Sequence, residues 1–453
     1  MKRNEKQEWV DRARTAERYR YALAVTQMTI GLLGCGNVGG AFVDLLDARC
    51  DAIRARTGID LRIGAIAVRS VAKHRDHVGD PDLLTTDTRA VVEDPDVDLV
   101  IELIGGIEPA RELVSLALQS GKPVVTGNKE LLANHGTELY ATAAASGVDL
   151  LFEAAVAGGI PLIRPLRESL AGEEITRVMG IVNGTTNYIL TQMAQHGAAY
   201  ADALADAQQL GYAEADPTAD VEGFDAGAKA AIIASIAFGA AVVAGDVYHE
   251  GISSITPTDI EMAHRLGHVI KALAVIEGGA SDGRPEVAVR VHPAMIPADH
   301  PLANVNDSFN AVFVEGASVG DLMFYGRGAG GGPTASAVLG DVIDAAVNRA
   351  TGTAATVGEL SRARSRPIDD LTCAYYLSLE VIDRPGVLAQ VAAVFGAEGV
   401  SIKSMEQRGL GADAEIIFIT HESKESAVRA TLDALKGLDA VNRVNSLIRV
   451  VGG

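Results

Sequence analysis

Short apolar runs alternate with helical patterns over the first third of the chain. The run Ile30–Leu33 leads into a glycine cluster, after which apolar residues recur at the spacing of one helical face. Those residues are Val38, Phe42, Leu45 and Leu46. Further strands are predicted at 61–68, 97–104 and 123–127, with a helix near 109–120. This alternation is typical of a parallel sheet covered on both faces, so residues 28–150 are predicted to form a doubly wound nucleotide-binding domain.

The pattern changes after residue 150. Longer helical stretches with strands at 177–182 and 286–293 predict a mixed α/β domain over 151–350, whose helix from about 334 packs back on the first domain. Residues 351–370 are small, polar and interrupted by proline, which predicts a linker. Residues 371–453 have the order strand, helix, strand, strand, helix, strand, which is a βαββαβ unit.

Composition narrows the class of protein. The 453 residues are 48% apolar, enough for several domains with large aliphatic cores. With 39 Lys+Arg against 59 Asp+Glu the formal charge is -20, and a surface this acidic repels nucleic acid. The most apolar stretch, 230–245, is shorter than the roughly 20 residues that cross a bilayer, so we predict a buried helix there and no membrane association.

The cysteine content and the N-terminal segment bear on the cellular location of the protein. Cys35, Cys50 and Cys373 are too few for a disulfide scaffold and suit a reducing compartment, which predicts a cytoplasmic protein. Residues 1–27 are charged throughout and lack the apolar core of a signal peptide. We expect this N-terminal extension to be disordered or partly helical.

A glycine motif carries the first candidate chemistry. Gly34, Gly36 and Gly39 form G-x-G-x-x-G between a predicted strand and a predicted helix. In that context the backbone N–H groups at the helix start can meet a pyrophosphate with no Cβ in the way, as in Rossmann-type domains. A tight turn that binds nothing is the alternative.

The end of the second strand bears on cofactor choice. An acidic side chain there would bind the ribose 2′-hydroxyl of NAD, whereas cations would accept the 2′-phosphate of NADP. The sequence has Val68, Arg69 and Ser70, followed by Lys73 and His74, and no carboxylate. NADP is therefore favoured, NAD stays possible, and a solvated basic turn is the alternative.

Two further segments contain candidate site residues. Lys129 follows the apolar strand at 123–127 and opens a helix, at the sheet edge where α/β proteins keep their ligands. Glu214, Asp225 and Lys229 lie in an acidic segment, with Asp225 and Lys229 at i and i+4 on one helical face. The alternative is an ordinary ion pair, but a lysine leading into so apolar a helix is expected to be part-buried and suited to acid–base catalysis.

Taken together, the motifs identify a family resemblance. GLLGCGNVG, TGNKELLA, FEAAVAGGIP, GIVNGTTNYIL, GYAEADPTADVEG-x-D-x-x-x-K and MFYGRGAGGGPTASAVLGD occur in the order found in homoserine dehydrogenases. The chain resembles the monofunctional members that carry a C-terminal ACT domain, from residue 28 to the end. The resemblance implies NAD(P)H-dependent, reversible reduction of L-aspartate 4-semialdehyde to L-homoserine, on the route to threonine, methionine and isoleucine. It also implies that 151–350 is a catalytic and dimerisation domain.

The resemblance assigns roles to individual residues. It makes Lys229 the proton donor to the aldehyde oxygen, Asp225 its neighbour in the substrate site, and Lys129 a second active-site lysine. Glu214 and Thr185 would bind substrate. The implied cofactor contacts are Gly34, Gly36, Asn37, Val38, Gly39, Arg69, Lys129 and Gly328.

Two other features rest on the resemblance. A monovalent cation such as Na+ would be held by Glu153 with the backbone at Val156, Gly158 and Ile160, where a rigid hinge turn is the alternative. The ACT unit would bind an amino-acid effector, threonine, at the turn 383–388, between two copies in a homodimer or homotetramer. Retention of this unit for assembly alone is the alternative.

Competing functions remain open on the sequence. Another Rossmann dehydrogenase acting on a small amino acid would share most of these features. A non-catalytic sensor of nucleotide and amino acid would bind both ligands without turnover. Aspartate-semialdehyde dehydrogenase is disfavoured, because its chemistry needs a thiolate and the chain has no cysteine between Cys50 and Cys373.

Overall fold

A computed structural model describes residues 25–74, 78–281, 284–355, 357–358, 360–409 and 414–451. The predicted N-terminal extension thus lies almost entirely outside the described residues. The chain divides into two compact units. The first contains the chain up to Asn128, Leu139–Phe152 and Thr334–Thr356, and the second contains Lys129–Glu138, Glu153–Pro333 and the chain from Val357 onward.

The first unit is built on a six-stranded parallel sheet of order β3-β2-β1-β4-β5-β6. The strands are β1 (Thr26–Leu33), β2 (Ile59–Ala67), β3 (Leu84–Thr85), β4 (Leu99–Glu102), β5 (Val124–Thr126) and β6 (Leu150–Leu151). The helices that follow them are α1 (Asn37–Thr57), α2 (Val71–His74), α3 (Thr88–Glu93), α4 (Ala110–Gln119) and α5 (Lys129–Ser146). Of α5, the residues Lys129–Glu138 belong to the second unit. A 3₁₀ turn lies at Pro81–Leu83.

The sheet core explains why the predicted alternation is so clear. β4 is buried at all four positions, as expected for a strand covered on both faces. α1 buries Phe42, Val43, Leu46 and Ile53 on one side, and it ends where Gly58 adopts a left-handed conformation with φ 76. The fold predicted for this region is confirmed.

The second unit holds the remaining strands. They are β7 (Ile175–Ile181), β8 (Tyr248–His249), β9 (His268–Ser281), β10 (Arg284–Pro297), β11 (Phe309–Gly316), β12 (Gly320–Arg327), β13 (Arg364–Ser365), β14 (Thr372–Val381), β15 (Ile402–Arg408), β16 (Ala414–Thr420), β17 (Ser423–Lys424) and β18 (Val441–Val450).

The remaining helices are α6 (Gly184–His196), α7 (Tyr200–Gln209), α8 (Thr218–Val221), α9 (Phe224–Phe238), α10 (Pro257–Arg265), α11 (Gly331–Thr351), α12 (Val387–Ala397) and α13 (Glu425–Lys436). Short 3₁₀ turns lie at Glu153–Ala155, Ala244–Asp246, Pro301–Asn304 and Ile368–Asp370, and a π-helical turn at Pro165–Ser169.

One mixed sheet runs through the whole second unit. Its described path is β12-β11-β7-β9-β10-β18-β14-β16-β15. The βαββαβ order predicted for the C-terminal region is confirmed, but its sheet is continuous with that of the preceding residues. The join is the parallel pairing of Ala294 with Arg449 and of Met295 with Val450, between β10 and β18.

Two predicted segments differ from the structure. The stretch 230–245 is helical only as far as Phe238, because Gly239 turns into the left-handed region with φ 60. Within the predicted linker, Arg364 and Ser365 pair with β10, and Ser361 forms a bridge to Ala240. These are backbone hydrogen bonds, which a polar sequence makes as readily as an apolar one. In the described part of the chain, none of the helices combines the length and apolar character needed to cross a membrane.

Candidate active site

The glycine turn after β1 gives each glycine a separate role. Gly34 has φ 98, and a Cβ there would meet the Leu103 carbonyl oxygen at 2.6 Å. A Cβ on Gly39 would collide with the carbonyl oxygen of Gly34, so this residue permits close packing of α1 on the turn. Around the Cβ position of Gly36 there is open space. The middle glycine therefore leaves the start of α1 accessible to a ligand.

Arg69 lies just beyond the end of β2 and is exposed. Its guanidinium makes no ion pair with another described residue. Asn37 is exposed at the first position of α1, and Val38 is half-buried beside it. Among the described residues at this strand end, 68–74, there is no carboxylate. The charge at this edge suits a phosphate.

A buried carboxylate at the end of β4 organises the neighbouring loops. Glu102 accepts hydrogen bonds from the backbone amide of Ile104 at 2.8 Å and from the hydroxyl of Thr126 at 2.6 Å. Thr126 in turn accepts from the Asn128 amide, and the Asn128 side chain donates to the Gly106 carbonyl at 2.6 Å. This set of bonds holds the segment that leads into Lys129.

Two lysines share one carboxylate in the second unit. The Nζ of Lys229 lies 2.7 Å from Oδ2 of Asp225, and the Nζ of Lys129 lies 3.1 Å from its Oδ1. Lys229 also donates to the Val182 carbonyl at 2.8 Å. The side chains of Lys229 and Asp225 are only 13% and 11% exposed, so this is not a solvated surface pair. Three predicted site residues are thus brought together.

The start of α9 fixes this geometry. Gly223 precedes the helix with φ 86, and Asp225 lies in the first helical turn. One turn later Lys229 projects from the same face, as the i and i+4 spacing predicts. The helix then buries six successive residues from Ala230 to Ser235, which anchors the end that carries the charges.

The protonation states of Asp225 and Lys129 follow from the opposite charges that face them. Burial raises the pKa of Asp225, but Lys229 and Lys129 outweigh it and hold that pKa far below its ordinary value. Burial also lowers the pKa of Lys129, but the facing Asp225 reverses the effect and the pKa is raised. At neutral pH Asp225 is therefore ionised and Lys129 is a cation.

Asn183 and Asp220 join the same cluster. The Asn183 amide donates to Asp220 at 2.7 Å and to Asp225 at 2.9 Å, while its oxygen caps α6 by accepting from the Thr186 amide. Thr185 donates to the Tyr212 carbonyl at 2.6 Å and lies 3.3 Å from Asp220. Burial raises the pKa of Asp220 above its ordinary value. The predicted residue Thr185 therefore contacts this group directly.

Glu214 is placed differently. Its side chain is exposed and makes no hydrogen bond or ion pair with the described residues. The backbone carbonyl of Glu214 accepts from Gln208 at 3.0 Å, which holds its loop. The carboxylate that bonds to the cluster is Asp220.

The predicted cation site is a compact turn whose side-chain ligand is already engaged. The Glu153 carboxylate is buried and accepts hydrogen bonds from the amides of Leu162, Ile163 and Arg164. Three amides leave one of the roughly four acceptor sites of the carboxylate for a cation, so the role of Glu153 as a ligand stays a prediction. The carbonyl oxygens of Val156, Gly158 and Ile160 accept no hydrogen bond within the described residues, although all three residues are buried.

Gly328 packs directly on that turn. A Cβ on Gly158 would collide with the Gly328 carbonyl, and the Gly159 amide donates to the Arg327 carbonyl at 3.1 Å. Neighbouring Asn310 is 1% exposed, and its side-chain amide has no hydrogen-bond partner among the described residues. The glycine loop and the turn are thus one packed element.

Sequence reasoning missed three residues of these sites. Asn183 lies in the motif GIVNGTTNYIL, directly before a helix. That position could have suggested an N-cap of the helix, but not the hydrogen bond to Asp225. Asp220 was one of several acidic residues in its segment, and nothing in the spacing distinguished it. Glu102 could have been noticed as a carboxylate ending an apolar strand.

The comparisons with known proteins agree along the chain. A family model described as homoserine dehydrogenase matches residues 161–343, the homoserine dehydrogenase NAD-binding domain matches 34–153, and the ACT domain matches 375–440. A homoserine dehydrogenase of Corynebacterium glutamicum is 52% identical over 425 residues, which is 93% of this chain and 95% of the relative.

Solved structures show the same likeness. A homoserine dehydrogenase of Thiobacillus denitrificans has a TM-score of 0.88 at 42% identity, covering 94% of this chain and 98% of its own. A hyperthermophilic archaeal homoserine dehydrogenase in complex with NADPH has a TM-score of 0.60 at 28% identity, covering 71% of this chain and 98% of its own.

Proposed function

The chain belongs to the homoserine dehydrogenase family, and we propose that Lys229 is the proton donor in its reaction. That reaction is the reversible reduction of L-aspartate 4-semialdehyde to L-homoserine with a nicotinamide cofactor. The observation that carries the assignment is the pair of lysines held on opposite oxygens of Asp225. A part-buried ammonium of fixed position is the group that a developing alkoxide requires.

Lys229 acts on the carbonyl oxygen of the substrate. When bound, the nicotinamide ring supplies or accepts the hydride. As charge develops on the oxygen, the Lys229 ammonium stabilises it and then transfers a proton to it. In the oxidative direction the same amine takes the hydroxyl proton. No covalent intermediate is needed.

Asp225 positions both lysines. Because it stays ionised, it fixes the direction of each ammonium group and neutralises one of their two charges. The remaining cation is available to the substrate oxygen. We assign Lys129 as the second active-site lysine, with contacts to substrate and cofactor.

Substrate recognition falls to the acidic residues and to Thr185. An amino-acid substrate carries an ammonium group, which carboxylates bind. We propose that Thr185, Asp225 and Glu214 contact the substrate, and that Asp220 adds a carboxylate that the sequence did not single out. The bonds of Asp220 to Asn183 and Thr185 support this addition.

The residues at the end of β2 bear on which nicotinamide cofactor the enzyme prefers. We propose NADP as the preferred cofactor, with NAD as a second substrate. Exposed Arg69 at the end of β2, with no carboxylate at 68–74, supports this choice. Gly34, Gly36, Asn37, Val38 and Gly39 would hold the pyrophosphate, and the loop at Gly328 would add a contact.

The turn that follows Glu153 is the candidate cation site. We propose that a monovalent cation such as Na+ is bound by Glu153 together with the backbone carbonyls of Val156, Gly158 and Ile160, which accept no hydrogen bond from the described residues. Carbonyl oxygens are the hard ligands that such ions prefer. Glu153 supports the turn through its amide hydrogen bonds, and the ion has a structural role.

The domain boundaries bear on assembly and regulation. We propose that the catalytic domain spans 151–350, that 371–453 is the regulatory unit, and that the enzyme is a homodimer or homotetramer. Threonine would bind at the turn 383–388, next to the start of α12. The family match at 375–440 supports an ACT unit there.

Replacement of Lys229 by alanine tests the central assignment. With L-homoserine and NADP⁺ the variant is expected to lose about a thousandfold in kcat, since both charge stabilisation and proton transfer are removed. Dinucleotide binding, measured by fluorescence titration, should stay within twofold of wild type. Folded protein with normal turnover would remove Lys229 as the proton donor. Absence of turnover in wild type would favour a binding protein.

A further inference from the structure

A short segment packs under the start of the catalytic helix α9. We name Tyr248–Ser253 the strap. The His249 ring lies 5.1 Å from the ring of Phe224, and a Cβ on Gly227 would collide with His249. Ile252 donates its amide to the Val221 carbonyl at 2.9 Å, and Ser253 donates to Glu222 at 2.8 Å. The strap therefore contacts both α9 and the turn before it.

The strap is held from its other side by the C-terminal region. Arg449 on β18 makes two hydrogen bonds to Glu250, at 2.7 and 3.0 Å. Arg429 on α13 donates to the Tyr248 hydroxyl at 3.0 Å, and Tyr248 donates to Glu250. The guanidinium of Arg449 also lies over the Tyr248 ring, 5.4 Å from its centroid.

Arg449 has little freedom to move. Its side chain is 2% exposed and binds a second carboxylate, Glu425, which is 1% exposed. Glu425 begins α13 and accepts a hydrogen bond from the buried hydroxyl of Tyr375 at 2.7 Å. A planar guanidinium held bidentately by two carboxylates has one orientation. The position of Glu250 is therefore set by residues of the βαββαβ region.

We infer that Glu250 and Arg449 are positioning residues, through which the C-terminal region sets the placement of α9 and so of Asp225 and Lys229. Arg449 binds Glu250, and the strap contacts Gly227 on α9 and Glu222 just before it. The helix α9 itself carries Asp225 and Lys229. No residue of the strap need touch substrate. The inference rests on the proposed roles of Asp225 and Lys229.

The chemistry explains why small shifts matter. Proton delivery depends on the placement of one amine, and a displacement of about 1 Å can cost a large factor in rate. Lys229 is directed by Asp225, which lies in the first turn of α9, and Gly227 two residues later bears on His249. A shift of the strap therefore reaches the amine through one helical turn.

Replacement of Glu250 by glutamine tests the contact while leaving Arg449 paired with Glu425. We expect kcat for homoserine oxidation to fall about tenfold, with the KM of the dinucleotide unchanged. Glu250→Asp should recover part of the loss. Thermal unfolding measured on the same samples should show a midpoint close to that of wild type, because the Arg449 charge keeps its buried partner.

The matched control is Glu261→Gln. Glu261 on α10 pairs with Arg408 on β15 at 3.1 Å, so it also joins the C-terminal region to the preceding residues, but through an exposed pair that includes no residue of the strap. This variant should keep wild-type kcat. Equal losses for Glu250→Gln and Glu261→Gln would overturn the inference, because the effect would then not be specific to the strap.

A second pair of variants leaves every charge in place. A Cβ on Gly251 would meet the Val221 carbonyl at 2.7 Å and press on Glu222, whereas a Cβ on Gly245 would meet nothing within 4 Å. Gly251→Ala is expected to lower kcat severalfold, and Gly245→Ala to leave it unchanged. If Glu250→Gln and Gly251→Ala both keep kcat within twofold of wild type, the inference is wrong.

The test of Lys229 as the proton donor is independent of the test of the strap. A fully active Lys229→Ala enzyme would overturn the proposed proton donor whatever the strap variants do. An inactive Lys229→Ala enzyme with fully active strap variants would overturn only the positioning role.

Discussion

The glycine turn of the first unit and the lysine cluster of the second are built in opposite ways. At Gly34, Gly36 and Gly39 the turn exists because side chains are missing, and the proposed ligand groups are backbone amides. At Lys129, Asp225 and Lys229 the backbone serves mainly to place charged side chains at 2.7 and 3.1 Å from each other. One site depends on shape and the other on charge.

Because one site depends on backbone shape and the other on charge, different substitutions should disable them. A backbone site is damaged by an added methyl group and is insensitive to the loss of a charge. A charge site tolerates small changes of volume at its edge, but loses function when one partner is neutralised. Substitutions of each kind can therefore separate cofactor binding from the chemical step.

Asp225→Asn should have the largest effect of the substitutions that test this comparison. The shape of the side chain is kept, but Lys129 and Lys229 lose the charge that directs them. We expect about a hundredfold loss of kcat with the dinucleotide KM nearly unchanged, measured by steady-state kinetics. Equal losses in kcat and in dinucleotide affinity would contradict the separation of the two sites.

Acid stability provides a second measurement on the same variant. Because the pKa of Asp225 is depressed in the folded state, its ionisation stabilises the fold above the ordinary carboxyl pKa of about 4, and the effect is lost as the pH falls towards the folded-state pKa. The difference in unfolding free energy between wild type and Asp225→Asn should therefore shrink below about pH 4. A difference that stays constant down to the acid limit would contradict this.

Alanine at Gly36 and at Gly39 should separate binding from packing. Gly36→Ala places a methyl group where the turn faces open space, so stability should fall by less than about 1 kcal/mol. NADP⁺ affinity should fall about tenfold, since the methyl group stands in the way of the pyrophosphate. Gly39→Ala should instead lower the unfolding free energy by about 1–3 kcal/mol, because the methyl collides with the Gly34 carbonyl.

Titration calorimetry and chemical denaturation distinguish the two variants. Gly36→Ala with unchanged affinity for both NADP⁺ and NAD⁺ would remove the turn as a pyrophosphate site. Gly39→Ala with wild-type stability would contradict the packing role.

Arg69→Ala should have the smallest effect. Exposed ion pairs contribute little, so we expect the ratio of NADP⁺ to NAD⁺ specificity, measured as kcat/KM, to fall about fivefold. The kcat with NAD⁺ should not change. Arg54→Ala is the control, because Arg54 is an exposed arginine in the last turn of α1, and its loss should leave the ratio unchanged. Equal effects on both cofactors would mean that Arg69 does not read the 2′-phosphate.

The features that sequence reasoning predicted are local ones. G-x-G-x-x-G is read from six consecutive residues, and the pairing of Asp225 with Lys229 follows from one helical turn. The alternation in the first third predicted the parallel sheet because buried strands are apolar at every position. The position of Lys129 at the end of a strand made it a candidate site residue, and the resemblance placed it in one site with Asp225, 96 positions later.

The features that were missed depend on tertiary contacts. The position of Asn183 between Asp220 and Asp225 follows from how α6 meets α9, which no spacing encodes. The polar composition of 351–370 predicted a linker, but Arg364 and Ser365 use backbone groups to pair with β10. The engagement of Glu153 by three amides likewise depends on the turn that follows it.

β18 comes after every other described strand in the sequence, yet it lies between β10 and β14 in the middle of the second sheet. During synthesis on the ribosome, the gap between these two strands stays open until the residues up to Val450 have emerged. Until then β14 lacks its partner along one edge, whereas β10 lacks one only at Ala294 and Met295, because β8 and β13 pair with the same edge of β10. A chain that stops short therefore leaves the edge of β14 exposed to other polypeptides. The ten codons of β18 therefore decide whether β14 and the strands beyond it are joined to the rest of the sheet.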